Sequence, residues 1–351
     1  MSADTAPAQS RTSLRLLRIA GIQITMDPSW MIIFLLVLFS LSGGYLPRHV
    51  PGQSITTYWL AGLAATVLFF ASLLVHELAH ALMARRMGLH VGEITLFIFG
   101  GVARLSEEAR TPRSEWLIAI VGPLTSWLLA LTFWLLHLLL ESAQPSLPGS
   151  VLAYLAWINL AIGIFNLIPG FPLDGGRVLR ALLWYRSGSL AQATRIASNI
   201  GQGFAFVLMA LGAVQLFSGA LIGGLWLLFI GMFLRGTARE SYQDVMIRQS
   251  LAGIAVQDVM IAQVVSVPPE LSVSQLLHDY VLRYGYQGFP VRQNGTVTGV
   301  VSLEEARQVP EDERSSTSVA QILHPLDEHV TIPPQAPLSE ALQKMAREDT
   351  G

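Results

Sequence analysis

The feature that most constrains this chain is a series of long apolar runs. Residues 59–75 carry no charged side chain, and 52% of the 351 residues are hydrophobic while 13% are charged. Soluble globular domains have about 25% charged residues, so this composition indicates an integral membrane protein. Ordinary soluble composition returns after Ser250. We therefore predict two domains: a membrane domain over residues 1–250 and a water-soluble tail over residues 251–351.

Six apolar runs before Ser250 are candidate transmembrane helices. Two shorter segments, residues 22–25 and 94–105, are rich in β-forming residues and too short to span as helices. The predicted fold is an α-helical polytopic membrane protein with a small membrane-associated β-sheet, joined to the tail by a short polar stretch over residues 235–251. The six runs cover residues 28–41, 58–84, 116–140, 151–168, 196–217 and 221–234.

The arginines give the predicted orientation. If the N-terminus is cytoplasmic, fifteen arginines before Ser250 fall in inside segments, and one, Arg48, falls outside. Cytoplasmic loops carry such an excess of basic residues. Both the N-terminus and the tail are therefore predicted to be cytoplasmic, in a multi-pass protein of the inner (cytoplasmic) membrane. Residues 1–18 are polar and basic, so no cleavable signal peptide is expected.

Two imidazoles and a carboxylate occur together near the cytoplasmic end of the second run, at His76, Glu77 and His80. Residues four apart share one face of a helix, so the two histidines can hold one metal ion, with Glu77 beside them as a base. A helix end wetted by the membrane surface would explain the polarity but not the pattern. Ionisable groups inside an apolar span are costly, which makes these three candidates for function.

A third ligand is expected at the same depth. Asp174 is the one aspartate between Pro28 and Gln243, and it follows the fourth run in a segment broken by prolines and glycines. The chain has no cysteine, which leaves histidine and carboxylate as ligands. An aspartate before Gly-Gly can also be a plain turn. The rival ligands His49, His90 and His137 are better explained as interfacial histidines.

The tail contains an internal repeat. A β-α-β-β-α order beginning near Ile254 restarts about sixty residues later, which predicts copies over residues 254–310 and 317–351, the second incomplete. This repeat resembles a pair of CBS domains. Such pairs commonly bind adenine nucleotides, so the resemblance implies ATP or AMP near Ser302 and Glu305. Glu305 stands where the ribose-binding aspartate is usual, which leaves binding and no binding equally open.

The membrane domain resembles the site-2 protease family of intramembrane zinc metalloproteases (peptidase family M50), in its six-helix, CBS-bearing prokaryotic subgroup. The His-Glu-Leu-Ala-His run and the N-x-x-P-x-x-P-x-D-G-G form from Asn166 to Gly176 carry the resemblance. Phe99-Gly100-Gly101 and Gly122-Pro123 add weaker support. The resemblance implies one Zn²⁺ held by His76, His80 and Asp174, Glu77 as the general base, and Asn166 as a residue that holds substrate or oxyanion.

Two positions depart from the family pattern. Asp27 stands where related sequences often have histidine, and Ser126 stands where many have asparagine. We expect neither to touch the zinc site.

The implied function is cleavage of membrane proteins in or near their transmembrane segments, close to the cytoplasmic face, with regulation through the tail. Partners would be the lipid bilayer and a transmembrane substrate such as an anti-sigma factor or a membrane-tethered regulator. The resemblance also allows a homodimer formed through the CBS domains. No nucleic-acid partner is expected, although the near-zero net charge itself says nothing about nucleic acid.

Two alternatives stay open at the level of sequence. A CBS-regulated transporter or channel could use the same His and Asp residues as an ion site, although matching broken helices in two halves are not found. The β-rich segment over residues 94–105 could pair with an extended substrate, or it could form a plain hairpin packed on the helices with residues 22–25.

Overall fold

The computed structural model describes residues 14–98, 100–105, 109–140, 145–251, 253–326 and 331–348. Phe99, part of one supporting motif, lies outside this range, as does Arg11. The chain separates into two compact units, Met1–Val245 and Met246–Gly351. The predicted domain boundary after residue 250 stays a prediction.

The first unit is built mainly of helices. Within the described residues, six segments are long and apolar enough to cross a membrane, as predicted; Trp30–His49 counts as one of them. The helices are α1 (Trp30–Ser40), continued by a π-helical turn (Leu41–Tyr45) and α2 (Leu46–His49), then α3 (Ile55–Arg86), α4 (Pro112–Leu140), α5 (Leu147–Asn166), α6 (Asp174–Ser187), α7 (Leu190–Phe217) and α8 (Leu221–Ser250).

Serine caps begin three of the long helices. Before α3, the Ser54 side chain accepts a hydrogen bond from the Thr57 amide. Ser146 before α5 and Ser189 before α7 each accept one from the amide three residues further on. These caps satisfy backbone donors that the first helical turn leaves free. Helix α6 ends at Gly188, whose positive φ of 69° suits glycine.

A four-stranded sheet completes the first unit, in the order β1 (Leu14–Ile19), β2 (Ile22–Met26), β3 (Val91–Phe97), β4 (Gly100–Leu105). Strands β2 and β3 run parallel, whereas the β1–β2 and β3–β4 pairs are antiparallel. Buried Ile22, Ile24 and Ile94 pack with Ala81 of α3. The β3–β4 hairpin therefore does join the strand at residues 22–25. Strand β4 lies at one edge of the sheet, so the edge at which an extended substrate could pair is also present.

The predicted polar stretch over residues 235–251 is helical in the structure as far as Ser250, where α8 ends. Leu234 just before this stretch and Ala238 and Val245 within it are all 5% exposed or less. Helical continuation buries these three side chains, and apolar periodicity of this kind favours a helix over a flexible linker.

The second unit follows the predicted order of helices and strands except at its start, where an isolated bridge at Val267 stands in place of the first strand. Its core includes Val267, Phe289 and Val301. A three-stranded sheet is formed by residues 288–293, 296–302 and 324–325, in that order. The elements are α9 (Val256–Val259), α10 (Val273–Gln275) continued by a π-helical segment (Leu276–Val281) and α11 (Leu282–Tyr284), β5 (Gly288–Gln293), β6 (Thr296–Ser302), α12 (Leu303–Gln308), α13 (Val319–Ile322), β7 (His324–Pro325) and α14 (Leu338–Glu348).

Candidate metal centre

Three side chains from distant parts of the chain meet beside α3. His76 and His80 lie one turn apart on α3, and their Nε2 atoms are 3.2 Å apart. The Oδ2 atom of Asp174, the first residue of α6, lies 3.3 Å from Nε2 of His76 and 3.1 Å from Nε2 of His80. The three candidate ligands grouped from the sequence are thus together in space, and both histidines are buried.

The spacing of these atoms fits a zinc ion. Ligands at the corners of a tetrahedron, each roughly 2.0 Å from zinc, are about 3.3 Å from one another. The three observed separations agree with that value. Among the described residues, these three form a group whose ligand atoms all lie within 4.8 Å of one another. The donor set, two imidazoles and one carboxylate, is also one that catalytic zinc sites use.

The remaining ring nitrogens are held by α4. Nδ1 of His80 lies 2.6 Å from the carbonyl oxygen of Ile118, and Nδ1 of His76 lies 2.8 Å from Oγ of Ser126. A carbonyl oxygen only accepts, so Nδ1 of neutral His80 carries the proton and Nε2 offers its lone pair to a metal. The expectation that Ser126 does not touch the site is wrong. No local pattern in the sequence signals this contact, because it depends on how α4 packs against α3.

Gly122 lies between these two contacts on the same face of α4. A Cβ built on Gly122 would collide with the imidazoles of both His76 and His80. Glycine therefore lets the α4 backbone approach the histidines closely enough for Ile118 and Ser126 to reach them. Gly122, from the pair that gave weak support in the sequence, is therefore part of the wall of the centre.

Asp174 is positioned by the chain break after α5. Helix α5 ends at Asn166, and residues 167–173 lead into α6, which is not among the six candidate spans. Burial raises the pKa of the Asp174 carboxyl, but in the absence of a metal the imidazoles of His80 and His76, when protonated, outweigh burial through their charge and hydrogen bonds and hold this pKa below its usual range. Asp174 is thus an anionic oxygen donor facing two nitrogen donors.

Glu77 is half-buried and lies against β4. A Cβ built on Gly101 would stand 2.5 Å from Cγ of Glu77, so the strand backbone packs directly on this side chain. Gly101 also lines an apolar cavity of about 560 Å³. Asn166 lies on the wall of the same cavity, with Phe97, Trp226 and other apolar residues of α3, α5 and α8.

Comparison with known proteins gives the family. The family model described as Peptidase family M50 matches residues 64–145 and 141–210, and the CBS domain model matches residues 256–311. The zinc metalloprotease named Rip3 from Mycobacterium tuberculosis is 42% identical over 339 residues, which cover 96% of this chain and 86% of that protein. The chain belongs to peptidase family M50, the site-2 proteases.

Two further comparisons involve proteins of Methanocaldococcus jannaschii. Zinc metalloprotease MJ0392 is 30% identical over 338 residues, covering 96% of this chain and 89% of that protein. A solved structure titled Site-2 Protease is 29% identical, with a TM-score of 0.48, and covers 66% of this chain and 95% of that one. The family makes this chain a multi-span intramembrane zinc metalloprotease, and the transporter alternative is not favoured.

The rival histidines of this site-2 protease lie outside the metal group. Nδ1 of His49 lies 2.9 Å from the Tyr45 carbonyl oxygen, and Nδ1 of His137 lies 2.9 Å from that of Gly149. His90 is exposed in the turn before β3.

In the tail, Ser302 and Glu305 contact each other. Ser302 caps α12 by accepting a hydrogen bond from the Glu305 amide at 3.2 Å, and the Ser302 amide donates to the Glu305 carboxylate at 2.7 Å. This reciprocal pair is a capping box, a structural role for both residues. Asp27 likewise serves a turn, by accepting a hydrogen bond from the Ser29 amide at 2.9 Å.

Proposed function

We propose that His76, His80 and Asp174 bind one Zn²⁺ per chain and that Glu77 is the general base of an intramembrane endopeptidase. The observation that carries this proposal is the triangle of ligand atoms, with sides of 3.1 to 3.3 Å. The hydrogen bond that fixes the proton of His80 on Nδ1 supports it, and so does the carboxylate of Glu77 next to His76.

The zinc ion and the side chains have different roles in the proposed reaction. Bound Zn²⁺ supplies a Lewis acid that activates water and polarises the peptide carbonyl. Glu77 accepts the proton of the attacking water and later donates it to the departing amine, so that one peptide bond and one water become a carboxylate and an amine. Asn166, at the end of α5, offers an amide that can hold the substrate or the developing oxyanion.

The substrate class follows from the cavity. Its walls are apolar, and the polar Asn166 lies at one side, which suits a segment of a membrane protein. A helical segment protects its own amides, so it must unwind before attack. Strand β4 pairs with β3 on one side and carries Gly101 against Glu77. An extended substrate segment added at this edge would pass close to Glu77.

The deciding experiment measures metal and cleavage on the same purified chain. We expect one zinc per chain by mass spectrometry and cleavage of at least one member of a panel of single-span membrane proteins, anti-sigma factors included. Chelation should stop cleavage, and added zinc should restore it. A chain that holds no zinc, or whose cleavage survives removal of zinc, would overturn the proposal.

The same proposal places both chain ends in the cytoplasm and the centre within the inner membrane, near its cytoplasmic face. The arginine distribution supports this orientation. Because the chain has no cysteine, a single introduced thiol reports its own side of the membrane. We expect Gln53→Cys to react with a membrane-impermeant maleimide on intact cells, and Ser187→Cys to react only after permeabilisation. Both side chains are exposed. The opposite reactivities would contradict the orientation.

We also propose that the CBS tail binds an adenine nucleotide and that binding alters the cleavage rate. Glu305 lines a cavity of about 360 Å³, with Gln308 and Thr317 among its other residues. Binding sites for small ligands begin at about 300 Å³, so the space suits an adenosine group. A nucleotide changes catalysis only if it favours one state of the protein over another.

Calorimetry with ATP on the whole chain tests this regulation. We expect binding that Glu305→Ala weakens at least 10-fold, while Glu304→Ala, which removes an exposed neighbouring carboxylate, leaves it unchanged. The cleavage rate should respond to ATP in the unmodified chain and in the Glu304 variant. Absence of ATP binding to the unmodified chain contradicts the proposal.

A further inference from the structure

A buried ion pair lies apart from the metal ligands, between α4 and α6. The Arg180 guanidinium of α6 contacts Oε1 of Glu115, in the first turn of α4, through both Nε and Nη2. Glu115 is 0% exposed and Arg180 is 7% exposed. The proposed mechanism uses neither residue, and no pattern in the sequence joins them.

Burying such a pair requires that each charge keep its partner. Within the described residues, Oε2 of Glu115 has no hydrogen-bond partner, so this carboxylate depends on Arg180 for compensation. Removing one member of a buried pair leaves an uncompensated charge, whereas replacing both by apolar side chains is often neutral for stability. The pair therefore fixes relative position more than it adds stability.

Arg180 also contacts the segment that leads to Asp174. Its guanidinium carbon lies 5.0 Å from the centroid of the Phe171 ring, a cation–π distance, and Phe171 is buried three residues before Asp174. One side chain thus joins α4, the segment before α6 and α6 itself. The first residue of α6 is Asp174.

Both halves of the centre are consequently held by α4, which supplies no ligand. Ile118 and Ser126 hold the rings of His80 and His76, and Glu115 lies on α4 one turn before Ile118. Resting on the proposed zinc function, the geometry points to Glu115 and Arg180 as positioning residues, which set the placement of Asp174 relative to the two histidines.

The test replaces both charges together. Glu115→Leu with Arg180→Met leaves no unpaired charge, so we expect the metal-free protein to unfold at the temperature of the parent. Zinc affinity should fall about 10- to 100-fold, the usual effect of losing a residue that supports a ligand. The visible absorption bands of the Co²⁺-substituted protein should also change, because they report ligand geometry. A role confined to folding would leave these bands unaltered.

Two single variants keep the inference testable if the double variant does not fold. Arg180→Lys retains the positive charge without the planar fork, and we expect zinc affinity between those of the parent and the double variant. Arg186→Met, an exposed arginine on the same helix, should match the parent. Parental zinc affinity and Co²⁺ bands in the folded double variant, or in Arg180→Lys if the double variant does not fold, would overturn the inference. A parent that binds no zinc would instead overturn the proposed function.

Discussion

A Glu77→Gln variant is expected to keep one zinc ion per chain and the parental fold, yet to lose cleavage of membrane substrates. The amide has nearly the shape of the carboxylate, and the three proposed ligands are untouched, so binding of the metal should not change. The proton acceptor is lost. General acid–base groups contribute typically 10²- to 10⁴-fold to rate, and we expect a loss of about that size or larger in kcat.

Measurement of zinc content beside single-turnover cleavage checks this expectation. Glu240→Gln is a matched control, because it removes an exposed carboxylate from α8. It should retain both zinc and activity. Cleavage at the parental rate by the Glu77 variant would contradict the assigned role of this residue, even if the variant kept one zinc ion per chain.

Asp174→Ala is expected to lose zinc as well as activity. Two imidazoles alone form a weak site, and the carboxylate is the anionic member of the group. Zinc affinity should fall by more than the roughly 10- to 100-fold that loss of a supporting contact costs. Competition with a fluorescent chelator, followed for parent and variant at one pH, gives the two dissociation constants directly.

Asp244→Ala provides the control, because Asp244 is an exposed aspartate on α8. Its zinc affinity should equal that of the parent. Stoichiometric zinc of undiminished affinity in the Asp174 variant would mean that another residue completes the site, and His90 would be tested first.

The outline of the membrane part could be predicted from local patterns. The apolar runs predict the transmembrane helices, because a helix needs about twenty consecutive apolar residues to cross the hydrocarbon core. The histidine pair follows from a four-residue spacing on one helix, and Asp174 follows from being the single aspartate of a long apolar region. Each of these predictions depends on residues that are close together in the sequence.

Contacts between distant residues could not be predicted in this way. Glu115 and Arg180 are 65 residues apart, and Ser126 and His76 are 50 apart. Nothing local distinguishes Arg180 from the other arginines assigned to the cytoplasmic side. Their roles depend on which helices pack together, which periodicity does not specify.

Two short elements escaped prediction for a different reason. Strand β1 carries arginines at Arg15 and Arg18, which read as a basic flank, yet it pairs with β2 across a tight turn at Ala20 and Gly21. Helix α6 begins at Asp174, two residues after Pro172, and its next two residues are glycines, although prolines and glycines this close together indicate a turn. In both cases pairing or packing with a neighbour outweighs the local preference.

The ligand positions have a mechanical consequence for the chain. His76 and Asp174 are 98 residues apart, so an ion held by both closes a loop of that length. A disulfide closing a loop of about 100 residues removes about 4.7 kcal/mol of denatured-state freedom on the chain-entropy account. This sequence contains no cysteine to form such a bridge. Unlike a disulfide, zinc held by the proposed ligands would join α3 and α6 across this loop only while the chain is folded, so its stabilising effect would grow with the concentration of free zinc.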